Sequence, residues 1–130
     1  MNGRHKMTRR ILIADDEPNI VTSLEFLMRG SDYEVRVARD GEEALQLAES
    51  FRPDLVLLDV MMPLRSGFDV CQKIRENPVL KGMKIVMLTA KGRDVERSRG
   101  VDLGANAYVT KPFSTKELMS TLRGLLPRSE

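Results

Sequence analysis

The stretch LVLLD at residues 55–59 sets four consecutive apolar side chains directly before a carboxylate. A strand that is apolar on both faces must be covered on both faces, as the strands of parallel sheets are. The runs Ile11 to Ala14 and Ile85 to Leu88 share this continuous apolar character. We therefore expect these three runs to be strands of a parallel sheet covered by helices.

Two further short runs extend the pattern, at Tyr33 to Ala38 and Ala107 to Val109. In the first of them, Glu34 and Arg36 alternate with apolar residues, which indicates one solvated face and predicts an edge strand. Amphipathic stretches separate all five runs, so strands alternate with helices along the chain.

Helical spacing and start signals complete the fold prediction. Apolar stripes with this spacing are Ile20, Leu24, Leu27 and Met28, then Ala44, Leu45 and Ala48, then Leu118, Leu122, Leu125 and Leu126. Asp40 with Glu43, and Ser114 with Glu117, fit capping boxes, and Pro18 suits a first helical turn. The class is α/β: a doubly wound, flavodoxin-like sheet of five parallel strands with five helices on its two faces. The order 2-1-3-4-5 agrees with an edge position for the second strand.

Composition limits the possible functions. With 130 residues, 42% apolar and 31% charged, the chain has the size of one domain with a full core. We expect a disordered basic tail at 1–8, the domain at 9–126, and at 127–130 a tail or the start of a linker. The net charge of +2 gives no support for direct nucleic-acid binding, and no apolar run is long enough for a membrane span. We expect a soluble, cytoplasmic protein, in which the single cysteine, Cys71, is a buried helix thiol.

Polar residues follow four of the five runs. They are Asp15 and Asp16, Asp59, Thr89, and Lys111. Because parallel strands point their carboxyl ends to one edge of the sheet, where open α/β sheets bind ligands, these side chains are expected to converge. Each residue alone is common at strand ends, where it is solvated or caps a helix, and Asp16 could be only an N-cap. Their combination on four strands favours a site.

Three convergent carboxylates need a cation. Each pair of carboxylates at ~4 Å costs on the order of 4 kcal/mol at an effective dielectric constant of ~20. A set of oxygen donors without histidine or thiolate selects a hard ion, and Mg²⁺ binds through carboxylates, water and phosphate oxygens. A carboxylate can also attack phosphorus to form an aspartyl phosphate. Thr89 and Lys111 would then supply hydrogen bonding and charge neutralisation.

Four motifs carry a family resemblance. ILIADDEP (11–18), LVLLDVMMP (55–63) with Gly67, MLTA (87–90) and AYVTKPF (107–113) resemble bacterial response-regulator receiver domains over about residues 9–126. The resemblance implies a signalling switch that is not an ordinary enzyme, although it catalyses its own phosphorylation and dephosphorylation. Its implied phosphodonor is a sensor histidine kinase or phosphotransfer protein, and its ion is Mg²⁺, for which Mn²⁺ can substitute.

The resemblance also implies roles for individual residues. Asp59 resembles the phosphoacceptor, Asp16 a direct metal ligand and Asp15 a ligand through water, while Met61 would add its backbone carbonyl. Lys111 resembles the lysine that pairs with the phosphoryl group.

Other positions resemble the family's switch and tuning residues. Thr89 resembles the switch hydroxyl, and Tyr108 the aromatic residue that moves inward with it, although Tyr108 could be an ordinary edge-strand aromatic. Pro112 matches the family's cis peptide. Met61 and Lys91 are expected to tune hydrolysis of the phosphoryl group, unless Met61 only packs on its loop.

The output surface is expected on helix 4, strand 5 and helix 5. The fourth helix, Asp94 to Leu103, contains Gly100, which costs about 1 kcal/mol relative to alanine, and we hypothesise that this weakness makes it the responsive element. Asn106-Ala107 and Thr121 depart from the charged pattern used for dimerisation in the winged-helix branch. We expect a monomer or a weak phosphorylation-dependent dimer, acting on a downstream protein or an output domain.

The sequence leaves two alternatives to a phosphorylated signalling switch. A Mg²⁺-dependent phosphatase or phosphotransferase of the haloacid dehalogenase type should carry a second Asp two residues after its nucleophile, where this chain has Met61. An unphosphorylated scaffold or a flavin-like cofactor binder is disfavoured by the five intact site residues and by the lack of a glycine-rich loop after the first run.

Overall fold

Five strands alternate with five helices in the computed structural model, which describes residues 8–90 and 94–127, with side chains for 8–90 and 98–127. The elements are β1 (Arg10–Ala14), α1 (Pro18–Gly30), β2 (Glu34–Ala38), α2 (Gly41–Phe51), β3 (Leu55–Asp59), α3 (Gly67–Glu76), β4 (Lys84–Ala90), α4 (Asp94–Leu103), β5 (Ala107–Lys111) and α5 (Thr115–Leu125).

All strand pairs are parallel, and the order is β2-β1-β3-β4-β5, as predicted. The second strand is an edge strand, with Val35 buried and Arg36 exposed. Two strands are longer than their apolar runs, because Thr89 still pairs with Thr110, and Ala90 with Lys111. In these two strands, backbone pairing continues past the last residue of the apolar run.

The sheet has a hydrophobic core on each face. Val21 and Leu24 of α1 pack with Leu118 of α5 on one face. Ala44 of α2 and Cys71 of α3 belong to the core on the other face, where the partly buried Leu103 of α4 also packs. Cys71 is fully buried, as predicted.

The predicted helix starts are confirmed. Asp40 Oδ1 accepts the Glu43 N–H at 2.8 Å. Ser114 Oγ accepts the Glu117 N–H at 3.0 Å, and Pro18 lies in the first turn of α1. The N-cap of α1 is Glu17, so the interpretation of Asp16 as an N-cap is wrong.

Some of the sequence predictions concern residues outside the part of the chain that the structure describes. Residues 1–7, Lys91 and residues 128–130 lie outside the described residues, and the division of the chain into tail, domain and linker stays a prediction. Within the described part of the chain, none of the helices has the length and apolar character to cross a bilayer.

Candidate functional site

Lys111 and two acidic residues from distant strands meet at the carboxyl edge of the sheet. Lys111 Nζ lies 2.8 Å from Asp15 Oδ2 and 3.4 Å from Asp59 Oδ2. Asp59 ends β3 and Lys111 ends β5, while Asp15 directly follows β1. Of the five residues expected to converge, Asp15, Asp59 and Lys111 are in contact in the structure.

Asp59 is held in a fixed place by its neighbours. The residue is 5% exposed, and its Oδ1 accepts the Met61 N–H at 3.1 Å. The first residue of α3, Gly67, donates its N–H to Val60 O at 2.9 Å. A β-carbon at Gly67 would collide with the backbone carbonyl of Asp59, so only glycine allows α3 to start this close to the strand.

Burial changes the acidity of Asp59. Desolvation, and then the negative charge of Asp15, raises its pKa from 3.8 to about 6, although Lys111 and the Met61 N–H oppose the shift. The carboxylate form still predominates at neutral pH, which is the form that a nucleophile requires.

The Lys111 ammonium is stabilised by its acidic partners. Burial alone would lower its pKa, but the close carboxylates of Asp15 and Glu17 and the negative charge of Asp59 raise the pKa of Lys111 above its usual value. The side chain is only 15% exposed and keeps a full positive charge beside Asp59.

Glu17 is a member of the site that the sequence analysis missed. Its Oε1 lies 2.7 Å from Lys111 Nζ, and its backbone N–H donates to Asp15 Oδ1 at 2.9 Å. The available signal was a third consecutive acidic residue on the loop between β1 and α1. Asp16, which the resemblance marks as a direct metal ligand, is exposed and outside the acidic group.

The donor set fits a hard cation. Carboxylate oxygens of Asp15, Glu17 and Asp59 lie within 4.8 Å of one another. In the described part of the chain, Asp15 Oδ2 is fully buried and has no hydrogen bond of good geometry, although the Lys111 ammonium is 2.8 Å away. A buried carboxylate oxygen with free lone pairs is a suitable ligand for a divalent ion. The group of Asp15, Glu17 and Asp59 could therefore bind a metal.

The remaining predicted site residues have different environments. Thr89 is 4% exposed near the end of β4. Tyr108 lies on β5, partly buried, with a buried hydroxyl oxygen. The side chain of Met61 is 66% exposed, so it does not pack on its loop in the way the alternative interpretation supposed. The peptide bond between Lys111 and Pro112 is cis, as predicted.

The loop between β3 and α3 is tied to α2. Gly41 N–H donates to Pro63 O at 3.1 Å, and Arg65 Nε lies 2.7 Å from Glu42 Oε2. Between these two contacts, Leu64 has a left-handed backbone with φ of 70° and a side chain that is 76% exposed. The loop next to Asp59 is thus fixed at both sides of a strained residue.

Arg75 of α3 forms a set of hydrogen bonds just beyond the C-terminal end of α4. The Arg75 guanidinium donates from Nε to Gly104 O at 2.9 Å, from Nη1 to Met83 O at 2.6 Å, and from Nη2 to Asn106 Oδ1 at 2.8 Å. Nη1 also donates to Lys81 O at 2.9 Å. Desolvation lowers the pKa of Arg75 below its usual value, but a guanidinium keeps its charge in proteins. This side chain joins α3 to the loops around β4 and β5.

Residues 11–123 match the family described as "Response regulator receiver domain". The chain is 44% identical over 124 residues to the alkaline phosphatase synthesis transcriptional regulatory protein PhoP of Bacillus subtilis (strain 168), covering 95% of this chain and 51% of PhoP. It therefore spans about half the length of this curated relative.

Two solved structures have the same fold as this chain. A putative response regulator from Chloroflexus aurantiacus J-10-fl is 38% identical, with a TM-score of 0.89 and coverage of 94% of this chain and 100% of that one. The receiver domain of sensor histidine kinase PA1611 from Pseudomonas aeruginosa PAO1 is 30% identical, with a TM-score of 0.85 and coverage of 94% and 100%. That structure has a magnesium ion coordinated in its active site cleft.

Proposed function

The chain belongs to the response regulator receiver domain family of two-component signalling systems, and from that premise we propose that Asp59 accepts a phosphoryl group from a histidine kinase or phosphotransfer protein. The observation that supports this most directly is the buried Asp59 carboxylate with the Lys111 ammonium 3.4 Å away. The haloacid dehalogenase alternative would require an acid at position 61, which is methionine.

The chain's own residues would perform most of the transfer. A carboxylate oxygen of Asp59 attacks the phosphorus of a phosphoimidazole, so that an O–P bond forms as the P–N bond breaks, and the imidazole leaves with the electron pair and takes up a proton. Lys111 is already fixed by Asp15 and Glu17 at 2.8 and 2.7 Å, so it needs little rearrangement to stabilise negative charge on the phosphoryl oxygens. Water later hydrolyses the acyl phosphate and releases inorganic phosphate. The domain thus catalyses both its own phosphorylation and its own dephosphorylation.

We propose that Mg²⁺ is bound by Asp15, Asp16, Asp59 and the backbone carbonyl of Met61, and that Mn²⁺ can replace it because it accepts the same oxygen donors. The ion supplies neutralisation of the carboxylate and phosphoryl charges. Glu17 is a poorer candidate, since its carboxylate already accepts from Lys111 at 2.7 Å and binding a metal would cost that contact. The magnesium ion in the cleft of the similar PA1611 receiver domain supports this choice of metal.

The consequence of phosphorylation would be a change of surface. A dianionic group on Asp59 attracts the Thr89 hydroxyl, and the change reaches Tyr108 and the surface of α4, β5 and α5. Exposed Met61, and Lys91, are proposed to set the lifetime of the phosphoryl group by controlling the approach of water. The regulated partner is a downstream protein or an output domain, and the switch acts in the cytoplasm as a monomer or weak dimer.

The test is phosphorylation by acetyl phosphate and Mg²⁺, followed by intact-mass measurement. Wild type should gain one phosphoryl group, Asp59→Asn none, and Asp69→Asn, a matched change of an exposed aspartate on α3, should behave as wild type. Addition of a chelator should abolish the gain. An unlabelled wild type, or an Asp59→Asn variant that is labelled as fully as wild type, would refute the proposal.

A further inference from the structure

Gly100 of α4 is buried beneath the ring of Tyr108. A β-carbon built on Gly100 would lie 2.9 Å from Cε1 and Cζ of Tyr108 and would collide with its hydroxyl oxygen. Carbon atoms in contact are normally 3.5–4.0 Å apart, so no other residue fits beneath the ring in this position. We call this space on α4, defined by Gly100 and filled by the Tyr108 ring, the Gly100 notch.

Gly100 has a steric reason to be glycine that Gly124, the glycine inside α5, lacks. Gly124 of α5 has no atom within 4 Å of its hypothetical β-carbon. Glycine is a poor helix former relative to alanine, so a glycine in the middle of α4 weakens the helix. The contact with the Tyr108 ring gives Gly100 a packing role in addition to its weakening of the helix.

The geometry also indicates which group would yield to a side chain at residue 100. The end of α4 is held to α3, because Arg75 Nε donates to Gly104 O at 2.9 Å and Cys71 Sγ donates to Leu103 O at 3.5 Å. The closest contact with the new β-carbon is the far end of the Tyr108 side chain, which can move by rotating about its own χ angles. The tyrosine ring is therefore expected to leave the notch before the helix moves.

We propose that Gly100 is a positioning residue for the switch: by omitting a side chain it opens the notch that seats the Tyr108 ring against α4. The position of Tyr108, and the shape of the surface formed by α4 and β5, then depend on the absence of a β-carbon at residue 100. The link to signalling rests on the proposed function, in which phosphorylation moves Tyr108 between two positions. Filling the notch removes one of those positions, whichever of the two the phosphorylated form prefers.

The position of the Tyr108 ring in the Gly100 notch is tested on the full chain, with tyrosine labelled with ¹³C at the ring ε positions. The chain has two tyrosines, and Tyr33 packs on the other face of the sheet, so its signal is an internal reference. Gly100→Ala should shift the Tyr108 signal and leave Tyr33 unchanged, whereas the matched helix variant Gly124→Ala should shift neither. A Tyr108 signal that keeps its position in Gly100→Ala would overturn the proposal.

A second measurement covers the case in which Gly100→Ala does not fold. In a Tyr108→Ala background the notch has no occupant, so adding Gly100→Ala should raise the thermal unfolding midpoint, because alanine is the better helix former. In the protein that retains Tyr108, Gly100→Ala should lower the thermal unfolding midpoint. A fall of the midpoint in both backgrounds would mean that Tyr108 is not what the glycine accommodates.

The link to the switch is tested with Mg²⁺ and beryllofluoride. Saturation should displace the Tyr108 signal of wild type, and this displacement should be lost in Gly100→Ala but retained in Gly124→Ala. Full displacement in Gly100→Ala would refute the coupling. If wild type fails to bind beryllofluoride, as judged from the fluorine signal of the bound ion, the proposed function fails, while the spectra without beryllofluoride still decide whether the notch seats Tyr108.

Discussion

Lys111 Nζ lies 2.8 Å from Asp15 Oδ2, although the strands that carry or precede these residues, β5 and β1, are separated in the sheet by β3 and β4. Both side chains are withdrawn from solvent, with exposures of 15% and 0%. Burying an ion pair costs desolvation that the attraction often only offsets, so the pair is weak as a source of stability. Its effect is to keep a cation fixed beside Asp59.

Replacing Lys111 by methionine should raise the pKa of Asp59 above about 6, because the lysine charge and hydrogen bond both oppose the upward shift. The measurement is a ¹³C carboxyl titration of Asp59 without divalent ions. Lys116→Met, on the exposed side of α5, is the control and should leave that pKa at its wild-type value. A pKa for Asp59 at or below the wild-type value in Lys111→Met would contradict the role given to the ammonium.

Asp59→Asn should stabilise the metal-free protein at neutral pH by up to about 3 kcal/mol, which is the free energy equivalent of the pKa shift from 3.8 to about 6. The raised pKa means that the folded state binds this proton more tightly than the unfolded chain does. In wild type, the tighter proton binding of the folded state therefore stabilises the fold fully below a pH of about 3.8. This stabilisation is lost as the pH rises through about 6. Urea unfolding at several pH values should show the advantage of Asp59→Asn shrinking as the pH falls. An advantage that does not depend on pH would exclude this cause.

Asp16→Asn should weaken Mg²⁺ affinity by at least about tenfold, because loss of a group that only supports a metal ligand already costs about 10–100-fold. Glu17→Gln is the matched comparison, and it should leave the affinity nearly unchanged because the Glu17 carboxylate is bonded to Lys111. Calorimetric titration with Mg²⁺ measures both variants. The reverse ranking would assign the metal to the acidic group of Asp15, Glu17 and Asp59 as it stands in the structure.

Arg75→Met should destabilise the fold by roughly 2–4 kcal/mol, because it removes hydrogen bonds from a charged donor and leaves the carbonyls of Met83 and Gly104 without that partner. Arg123→Met is the control, at an exposed position of α5, and should change the free energy of unfolding by less than about 0.5 kcal/mol. Urea denaturation measures both. Equal effects of the two changes would show that the Arg75 contacts are not important for stability.

Leu64→Asn should stabilise the protein by about 1 kcal/mol, because a left-handed backbone is costly for leucine and is tolerated better by asparagine. The leucine side chain is 76% exposed, so little burial is lost. Val79→Asn, at another exposed apolar position, should bring no such gain. A lower unfolding midpoint for Leu64→Asn would indicate that the leucine makes a contact worth more than the backbone strain.

Much of the fold followed from short-range patterns. The continuous apolar runs predicted strands covered on both faces, and the alternation around Val35 predicted an edge strand, because side-chain burial repeats with the geometry of the strand. Strand ends were predicted less well: backbone pairing continues through Thr89 and Lys111, beyond the last residue of each apolar run.

The sequence alone determined that Asp15, Asp59, Thr89 and Lys111 lie at one edge of the sheet, because parallel strands share one direction and each of these residues stands at or next to the end of its strand. Only the tertiary structure decided which side chains touch. The bond from Lys111 to Glu17 depends on how the loop after β1 turns into α1. The Gly100 notch depends on α4 and β5 lying so close together that the Tyr108 ring leaves no room for a β-carbon at Gly100. Such contacts join residues distant in the chain through side-chain packing, which no local pattern encodes.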